Sequence, residues 1–351
     1  MKTRTKIIIA SVIAFLIICC IVLYIVGVSI YNGVFQVRFT TNELTKFHLS
    51  EFDGLKCEES GFTSNDGQKI AGYKYYSDAK SPKGVLVFAH GFGAGGQCGY
   101  MNIFNFFASN GYIVYAYDAT GNDLSEGEVI GGFPQGVIDL DYALNHVKAQ
   151  EWSKDLPIAL MGYSWGSYCV NNVLTFHPDV KAVVSVSGFN SSMDLIEYEG
   201  VNMVGPIAYT MLPFAKLNEI FKYGKYARNT ALDGFKKSDA SVLIIHSTDD
   251  TTVPVRYGYD KYFEKYGESD RFEFISFANR GHSNIFVSKE YLDYNESYDK
   301  LLKEYESSLG REMTSVERND FYKVNYDRSK YVNNLDKALF NKILRFLDEN
   351  I

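Results

Sequence analysis

The residues with the clearest chemical potential are Gly162-Tyr163-Ser164-Trp165-Gly166, which directly follow the apolar run I-A-L-M and precede a stretch with helical spacing. A serine flanked in this way at a strand-to-helix turn forms a nucleophile elbow: the glycines admit close backbone approach, and the turn lifts the Ser164 hydroxyl clear of the sheet. The start of the following helix, with the Trp165 N–H, then faces any developing negative charge. A seryl hydroxyl needs a base to take its proton, and the chain has six histidines. His48 lies close to an apolar N-terminal segment, His90 precedes the serine on a loop, and His146 falls on an expected helix. His177 stands in a turn before Pro178, and His246 ends a buried strand, where a structural role is the commoner use. His282, in N-R-G-H after the last expected strand, is the candidate base. A carboxylate must hold its tautomer and stabilise the imidazolium. Asp249 and Asp250 both follow the strand V-L-I-I-H, and chemistry alone leaves the choice between them open.

Charge on an attacked carbonyl oxygen needs a second donor. The loop His90-Gly91-Phe92-Gly93-Ala94-Gly95-Gly96 follows the strand V-L-V-F-A. Its glycine-rich backbone can turn the Phe92 N–H inward, to pair with that of Trp165 as an oxyanion hole. A phosphate-binding loop is the competing reading, but G-x-x-x-x-G-K is absent.

These side chains must be positioned by elements that alternate along the chain. Strands are expected at residues 68–76, 84–89, 112–117, 157–161, 181–186, 241–246 and 272–277, with helices at 102–110, 136–150, 167–176 and 336–350. Leu339, Phe340, Ile343, Leu344 and Leu347 would be the buried face of the last helix. Continuous apolar strands alternating with helices indicate a mostly parallel sheet covered on both faces. Two stretches break the alternation and read as insertions on one sheet: about 190–238, rich in aromatic, Met and Pro residues, and about 284–334, polar and Tyr-rich.

The N-terminus differs in kind. Lys2, Arg4 and Lys6 precede Ile7–Ile30, 24 residues without a charge. At about 1.5 Å per residue this run spans roughly 36 Å, enough to cross a hydrocarbon core. A cleavable signal peptide is the rival, but its apolar region is usually only about 7–15 residues long. The expectation is an uncleaved anchor over residues 1–30 with its N-terminus inside, which leaves residues 31–351 outside the cytoplasm at the cell membrane.

The 351 residues are 46% hydrophobic and 22% charged, so a large core can form and disorder of the whole is excluded. A net charge of −7 with no long basic run argues against nucleic acid as partner. Five scattered cysteines without C-x-x-C fit neither a disulfide scaffold nor a zinc ribbon. The chemistry calls for no metal and no organic cofactor.

Together these motifs resemble the α/β-hydrolase superfamily, in the branch of monoacylglycerol lipases, lysophospholipases and serine aminopeptidase-like hydrolases. The matching pieces are F-T-S-N-D-G-Q-K-I-A-G-Y, A-H-G-F-G, Y-D-A-T-G-N-D-L-S-E-G, G-Y-S-W-G, H-S-T-D-D-T-T-V-P and R-G-H, over roughly residues 62–283 plus the last helix. The resemblance implies an α/β-hydrolase fold with a helical cap at about 190–238. It also implies Ser164 as nucleophile, Asp250 as acid, His282 as base, and Phe92 and Trp165 as oxyanion donors. Asp250 is singled out because relatives carry the acid four residues before the Pro of D-x-x-V-P. The chain departs from the pattern in Y-D-A-T-G-N-D-L-S, where relatives usually have Arg before Gly, and its insertion after His282 is longer than expected. The expected function is cleavage of small-molecule or lipid-like carboxylic esters through an acyl-enzyme. Aminopeptidase, amidase or thioesterase chemistry and a non-catalytic binding module are the alternatives. Met193, Met203, Met211, Leu212, Phe214 and Phe221 are candidates for an acyl pocket, although for any single one packing within the cap is the commoner use. Asp194, Glu197 or Glu199 could meet a substrate amine, or simply form a solvated face.

Overall fold

A computed structural model describes residues 2–78, 81–93 and 95–351, so Met1 of the basic flank and Ala94 of the Gly-rich loop lie outside the described residues. In chain order the elements are α1 (Lys2–Phe35), β1 (Lys56–Glu59), β2 (Phe62–Thr63), β3 (Lys69–Ile70), β4 (Gly72–Tyr76), β5 (Gly84–Ala89), α2 (Met101–Ser109), β6 (Tyr112–Tyr117), α3 (Phe133–Lys148), β7 (Ile158–Tyr163), α4 (Trp165–Val173) and β8 (Ala182–Val186). There follow α5 (Ser192–Val204), α6 (Ala208–Tyr223), α7 (Ala231–Lys237), β9 (Ser241–Ser247), α8 (Tyr259–Tyr266), β10 (Phe272–Phe277), α9 (Lys289–Leu309), α10 (Ser315–Asn325), α11 (Arg328–Val332) and α12 (Lys337–Asn350).

Eight strands form one sheet in the order β1-β4-β6-β5-β7-β8-β9-β10. From β6 to β10 every pairing is parallel, while β1 and β4 run antiparallel at one edge. The stretch 68–76, expected as one strand, is two. Around Ala71 the chain leaves the pairing of β3 with β2 and enters the large sheet as β4, with the Ala71 N–H donated to Ser125 Oγ and its carbonyl accepting from Asp118 N. The polar strand β1 (K-C-E-E) carries no hydrophobic alternation, and so no signal in the sequence.

The pleat sorts the apolar strands onto two cores. Val85, Val87 and Ala89 of β5 pack with Val137 and Leu144 of α3 and Val170 of α4 on one face. Leu86 and Phe88 pack with Phe104 of α2 and with Phe340, Ile343 and Leu347 of α12 on the other. The chain runs from β5 to β6 on one side and then returns to β7 on the opposite side of β5. Loops leaving β5 and β7 therefore part in opposite directions, and the crevice between their carboxyl ends is where open α/β sheets bind ligands.

The helix α1 is long and apolar enough to cross a membrane. It continues past the apolar run for five residues because Tyr31 and Phe35 are buried in the core of the first face. It crosses α6: Tyr24 meets the Phe214 ring edge-on at 6.2 Å between centroids, and Tyr31 Oη donates to Glu219 Oε1 at 2.8 Å. Ser192 Oγ of α5 donates to the same oxygen at 2.7 Å, so one fully buried carboxyl joins α1, α5 and α6.

Burial pushes the Glu219 carboxyl up to about 7, against the opposing hydrogen bonds and Lys222. A carboxyl whose pKa is raised on folding stabilises the protonated protein. That stability is lost as pH rises from its unfolded value near 4.5 towards 7. The loss is about 3 kcal/mol on the usual conversion. Unfolding measured at about pH 5 and about pH 8 should show this decline in the full chain. Glu219→Gln should make it shallower without abolishing it, since burial also pushes Asp118 up to about 7, and an unchanged slope in the variant would assign the decline elsewhere.

Candidate active site

Ser164 sits between β7 and α4 with φ 56° and ψ −115°, a conformation that L-residues rarely adopt. Its N–H is tied to Val186 O at 2.8 Å and its carbonyl accepts from Tyr168 N at 3.1 Å, so the turn is held from β8 and from α4. The two flanking glycines are required by contact. A Cβ on Gly162 would stand 2.2 Å from Gly166 O, and one on Gly166 would stand 1.9 Å from Ala89 O. Removing both side chains lets β7, β5 and α4 approach closely enough to present the hydroxyl above the sheet.

His282 follows Gly281, whose φ is +54°. Its Nε2 lies 2.9 Å from Ser164 Oγ and its Nδ1 lies 2.7 Å from Asp250 Oδ2. A carboxylate only accepts, so Nδ1 carries the proton and Nε2 is left to accept from the serine hydroxyl. The structure thus joins Ser164, His282 and Asp250 in one line of hydrogen bonds. Asp249 has a different position: it is exposed, and its carboxylate accepts from Ser247 Oγ and from Gly281 N, pinning the turn that carries His282.

Asp250 is buried, which by itself would raise its pKa. Hydrogen bonds from His246 and His282, the His282 charge, and the Val253 N–H outweigh burial and hold it well below the usual carboxylate range. Thr252 N and Val253 N donate to its Oδ1 at 2.9 and 2.8 Å. His246 Nε2 stands 3.2 Å from Oδ2 and 2.8 Å from Val253 O, and with two acceptors before it that nitrogen carries the proton. His246 is therefore a positioning residue for the carboxylate. Its signal in the sequence is the four-residue spacing to Asp250 in H-S-T-D-D.

The turn bearing His282 has further supports. Tyr163 Oη donates to His282 O at 2.9 Å. Arg280 bonds the carbonyls of Ile285 and Val287 and pairs with Asp336 at 2.6 Å, fastening the turn to the start of α12.

The loop after β5 is oriented by a buried histidine. Ala119 N donates to His90 Nε2 at 3.0 Å, so Nδ1 bears the proton and donates to Gly91 O at 2.8 Å. Burial lowers the His90 pKa, in keeping with a neutral ring. With Gly91 C=O held towards His90, the trans peptide turns the Phe92 N–H the opposite way. The Phe92 ring meets Trp165 edge-on at 5.8 Å, so the two candidate oxyanion residues are neighbours. Trp165 is the first residue of α4, and the first N–H groups of a helix have no partner within it. The far end of the loop is moored by Asp123, which accepts from Gly96 N at 2.9 Å and from Thr41 N at 2.6 Å, and by Asp118, which accepts from Gln97 N. Both aspartates belong to the stretch that departs from the family pattern. Arg38, from the segment after α1, donates to the carbonyls of Asp123 and Ser125 in that stretch and of Gly127 just beyond it.

The fold recurs in known proteins. A family model described as serine aminopeptidase matches residues 80–222. The chain has the α/β-hydrolase fold. An esterase of Pyrococcus furiosus superposes with a TM-score of 0.53 at 15% identity, covering 77% of this chain and 96% of that one. An acetyl xylan esterase from Paenibacillus sp. R4 gives 0.54 at 17% identity, over 74% and 86%. The acylaminoacyl peptidase of Pyrococcus horikoshii gives 0.52 at 20%, over 67% of this chain and 38% of its own length. No curated protein sequence matches the chain. The matched segment contains Phe92, Ser164 and Trp165 and ends before Asp250 and His282. Among the described residues no group of three or more His, Cys, Asp and Glu is arranged to hold a metal ion.

Proposed function

We propose that the chain is a serine hydrolase, anchored by α1, that cleaves carboxylic esters with lipid-like acyl groups. The observation that carries this reading is the continuous line Ser164 Oγ, His282 Nε2, His282 Nδ1, Asp250 Oδ2 at 2.9 and 2.7 Å. Ser164 attacks the ester carbonyl as His282 takes its proton, and Asp250 stabilises the resulting imidazolium. The Phe92 and Trp165 N–H groups receive the oxyanion. His282 then protonates the departing alcohol, and the same base activates a water that frees Ser164 from the acyl group. Lys2, Arg4 and Lys6 before the span, by the excess of basic residues on the inner side, put the active domain outside the cytoplasm.

Aminopeptidase or amidase action is the second reading, favoured by one observation besides the family match. Glu199 lines an otherwise apolar cavity beside α1, where burial raises its pKa. Of the other acids weighed for a substrate amine, Asp194 is taken by Lys261 at 2.6 Å.

The test is fluorophosphonate labelling of the full chain in detergent, followed by a p-nitrophenyl ester series and aminoacyl p-nitroanilides. Labelling at Ser164 with ester turnover supports the proposal. Labelling with turnover of the anilides alone, lost in Glu199→Gln, supports the second reading. Absence of labelling would leave a binding module.

A further inference from the structure

We propose that the last turns of α1 form one wall of the acyl-chain pocket, which opens sideways into the outer half of the bilayer. The helix that anchors the chain then also shapes its substrate site. This inference rests on the ester-hydrolase reading above.

A cavity lies where α1, α5 and α6 meet, walled by Gly27 and Ile30 of α1, Gly200 and Met203 of α5, and Met211 and Leu212 of α6. Three of the six acyl-pocket candidates from the sequence are therefore present. Met193 packs instead against the core, Phe214 turns to Tyr24, and Phe221 is 75% exposed. The inner end of the cavity is bounded by Phe35 and Phe133. Both rings contact Phe92, at 5.9 and 5.6 Å, and Phe92 contacts Trp165 beside Ser164. Packed aromatic rings thus link the inner end of the cavity to the residue that follows the nucleophile, and the anchor helix supplies Phe35 to them.

The outer end points to lipid as the occupant. Met203, Ile207 and Tyr209 at the junction of α5 and α6 are 57%, 55% and 54% exposed. A second apolar groove, between Ile17, Ile21 and Tyr24 of α1 and Phe214 and Leu217 of α6, continues along the anchor. Surfaces facing water rarely leave so much contiguous apolar area uncovered. Depth agrees: Gly27 lies three residues inside the end of the apolar run at Ile30, about 5 Å below the hydrocarbon boundary if that run fills the core. A chain drawn from the outer leaflet meets the cavity without passing through water. The α1 and α6 backbones approach closely at this crossing, where a Cβ on Gly27 would stand 3.2 Å from Met211 Cβ.

The experiment uses the full chain in nanodiscs and two filling variants, one on each side of the cavity. In Gly200→Leu the new Cβ meets only Ala208 Cβ at 3.5 Å, an ordinary contact, and the helix gains propensity. Ile30→Trp narrows the pocket from the anchor. Each should lower hydrolysis of long-chain p-nitrophenyl esters at least about tenfold, with acetate ester hydrolysis within about twofold, because binding energy lost along the chain is absent for acetate. Ser164 labelling by alkyl fluorophosphonates of increasing length should show the same selective loss, without any need for ester turnover. Equal effects at all lengths, or a loss in Gly200→Leu without one in Ile30→Trp, would overturn the pocket. So would efficient crosslinking of Met203→Cys to a second copy, which would show that protein covers this face. Wild-type labelling that depends on chain length, without hydrolysis of any ester, would sink the ester reading and leave the pocket standing.

Discussion

Alanine at position 164 is expected to lower kcat/KM for ester hydrolysis by about 10⁵- to 10⁶-fold, leaving only the residual rate supplied by binding and the oxyanion donors. His282→Ala should cost nearly as much. The double variant should lose little more, because a nucleophile without its base and a base without its nucleophile fail at the same step. Asp250→Asn should cost about 10⁴-fold, since an amide can no longer hold the imidazole in its Nδ1-protonated form or stabilise its charge. Asp249→Asn is the informative control. Its carboxylate touches the turn at Gly281 and not the imidazole, so its loss should fall far short of that in Asp250→Asn. Stability should separate these losses from unfolding. Ser164→Ala keeps the same strained backbone and removes only an oxygen, so its melting point should stay within about 2 °C of the parent. Initial rates with a short-chain p-nitrophenyl ester decide the matter, and retention of more than about 1% activity in Ser164→Ala would reject it as nucleophile.

The second large effect concerns the backbone beneath the site. Gly166→Ala should destabilise the folded chain by more than about 4 kcal/mol, or prevent its recovery as folded protein. A Cβ there would lie 1.9 Å from the carbonyl oxygen of Ala89, and its next neighbour is that same peptide carbon at 2.5 Å. No flexible side chain can yield, so β5 and α4 must separate, and with them the Phe92 loop and Ser164. Gly99→Ala is the matched control: nothing stands within 4 Å of its Cβ, and its effect should stay within about 0.5 kcal/mol. Thermal unfolding of both variants in the same detergent is the measurement. At about 2–4 °C per kcal/mol, a Gly166→Ala protein that melts within about 3 °C of the parent would contradict the packing described.

Much of the architecture is written in local pattern. The runs G-V-L-V-F-A and Y-I-V-Y-A-Y become fully buried parallel strands, because a strand covered on both faces has no polar side to show. The last helix could be read from its spacing, and four of its five expected residues are buried while Leu344 is half-buried; Phe346 joins them. The elbow was legible because its geometry needs glycine at two fixed offsets, a demand that is visible in composition alone.

What the sequence determined by itself is therefore the set of elements that obey a period, the glycine-framed serine, and an apolar helix long enough for a bilayer. Each depends on residues within a few positions of one another. Tertiary structure decided everything that depends on residues far apart in the chain. Asp249 and Asp250 are neighbours with the same chemistry, and only the path of the turn at Gly281 sends one to the imidazole and the other to the backbone. His246 looked like a strand terminus until the fold set it against Asp250. The break at Ala71 is made by Ser125 and Asp118, some fifty residues away. The end of α1 gave no sign that Tyr31 would meet Glu219 across 188 residues, or that Phe35 would stand against the Phe92 loop. Periodicity reports which face of an element is apolar. Which partner covers that face is settled only when the whole chain competes for the same core.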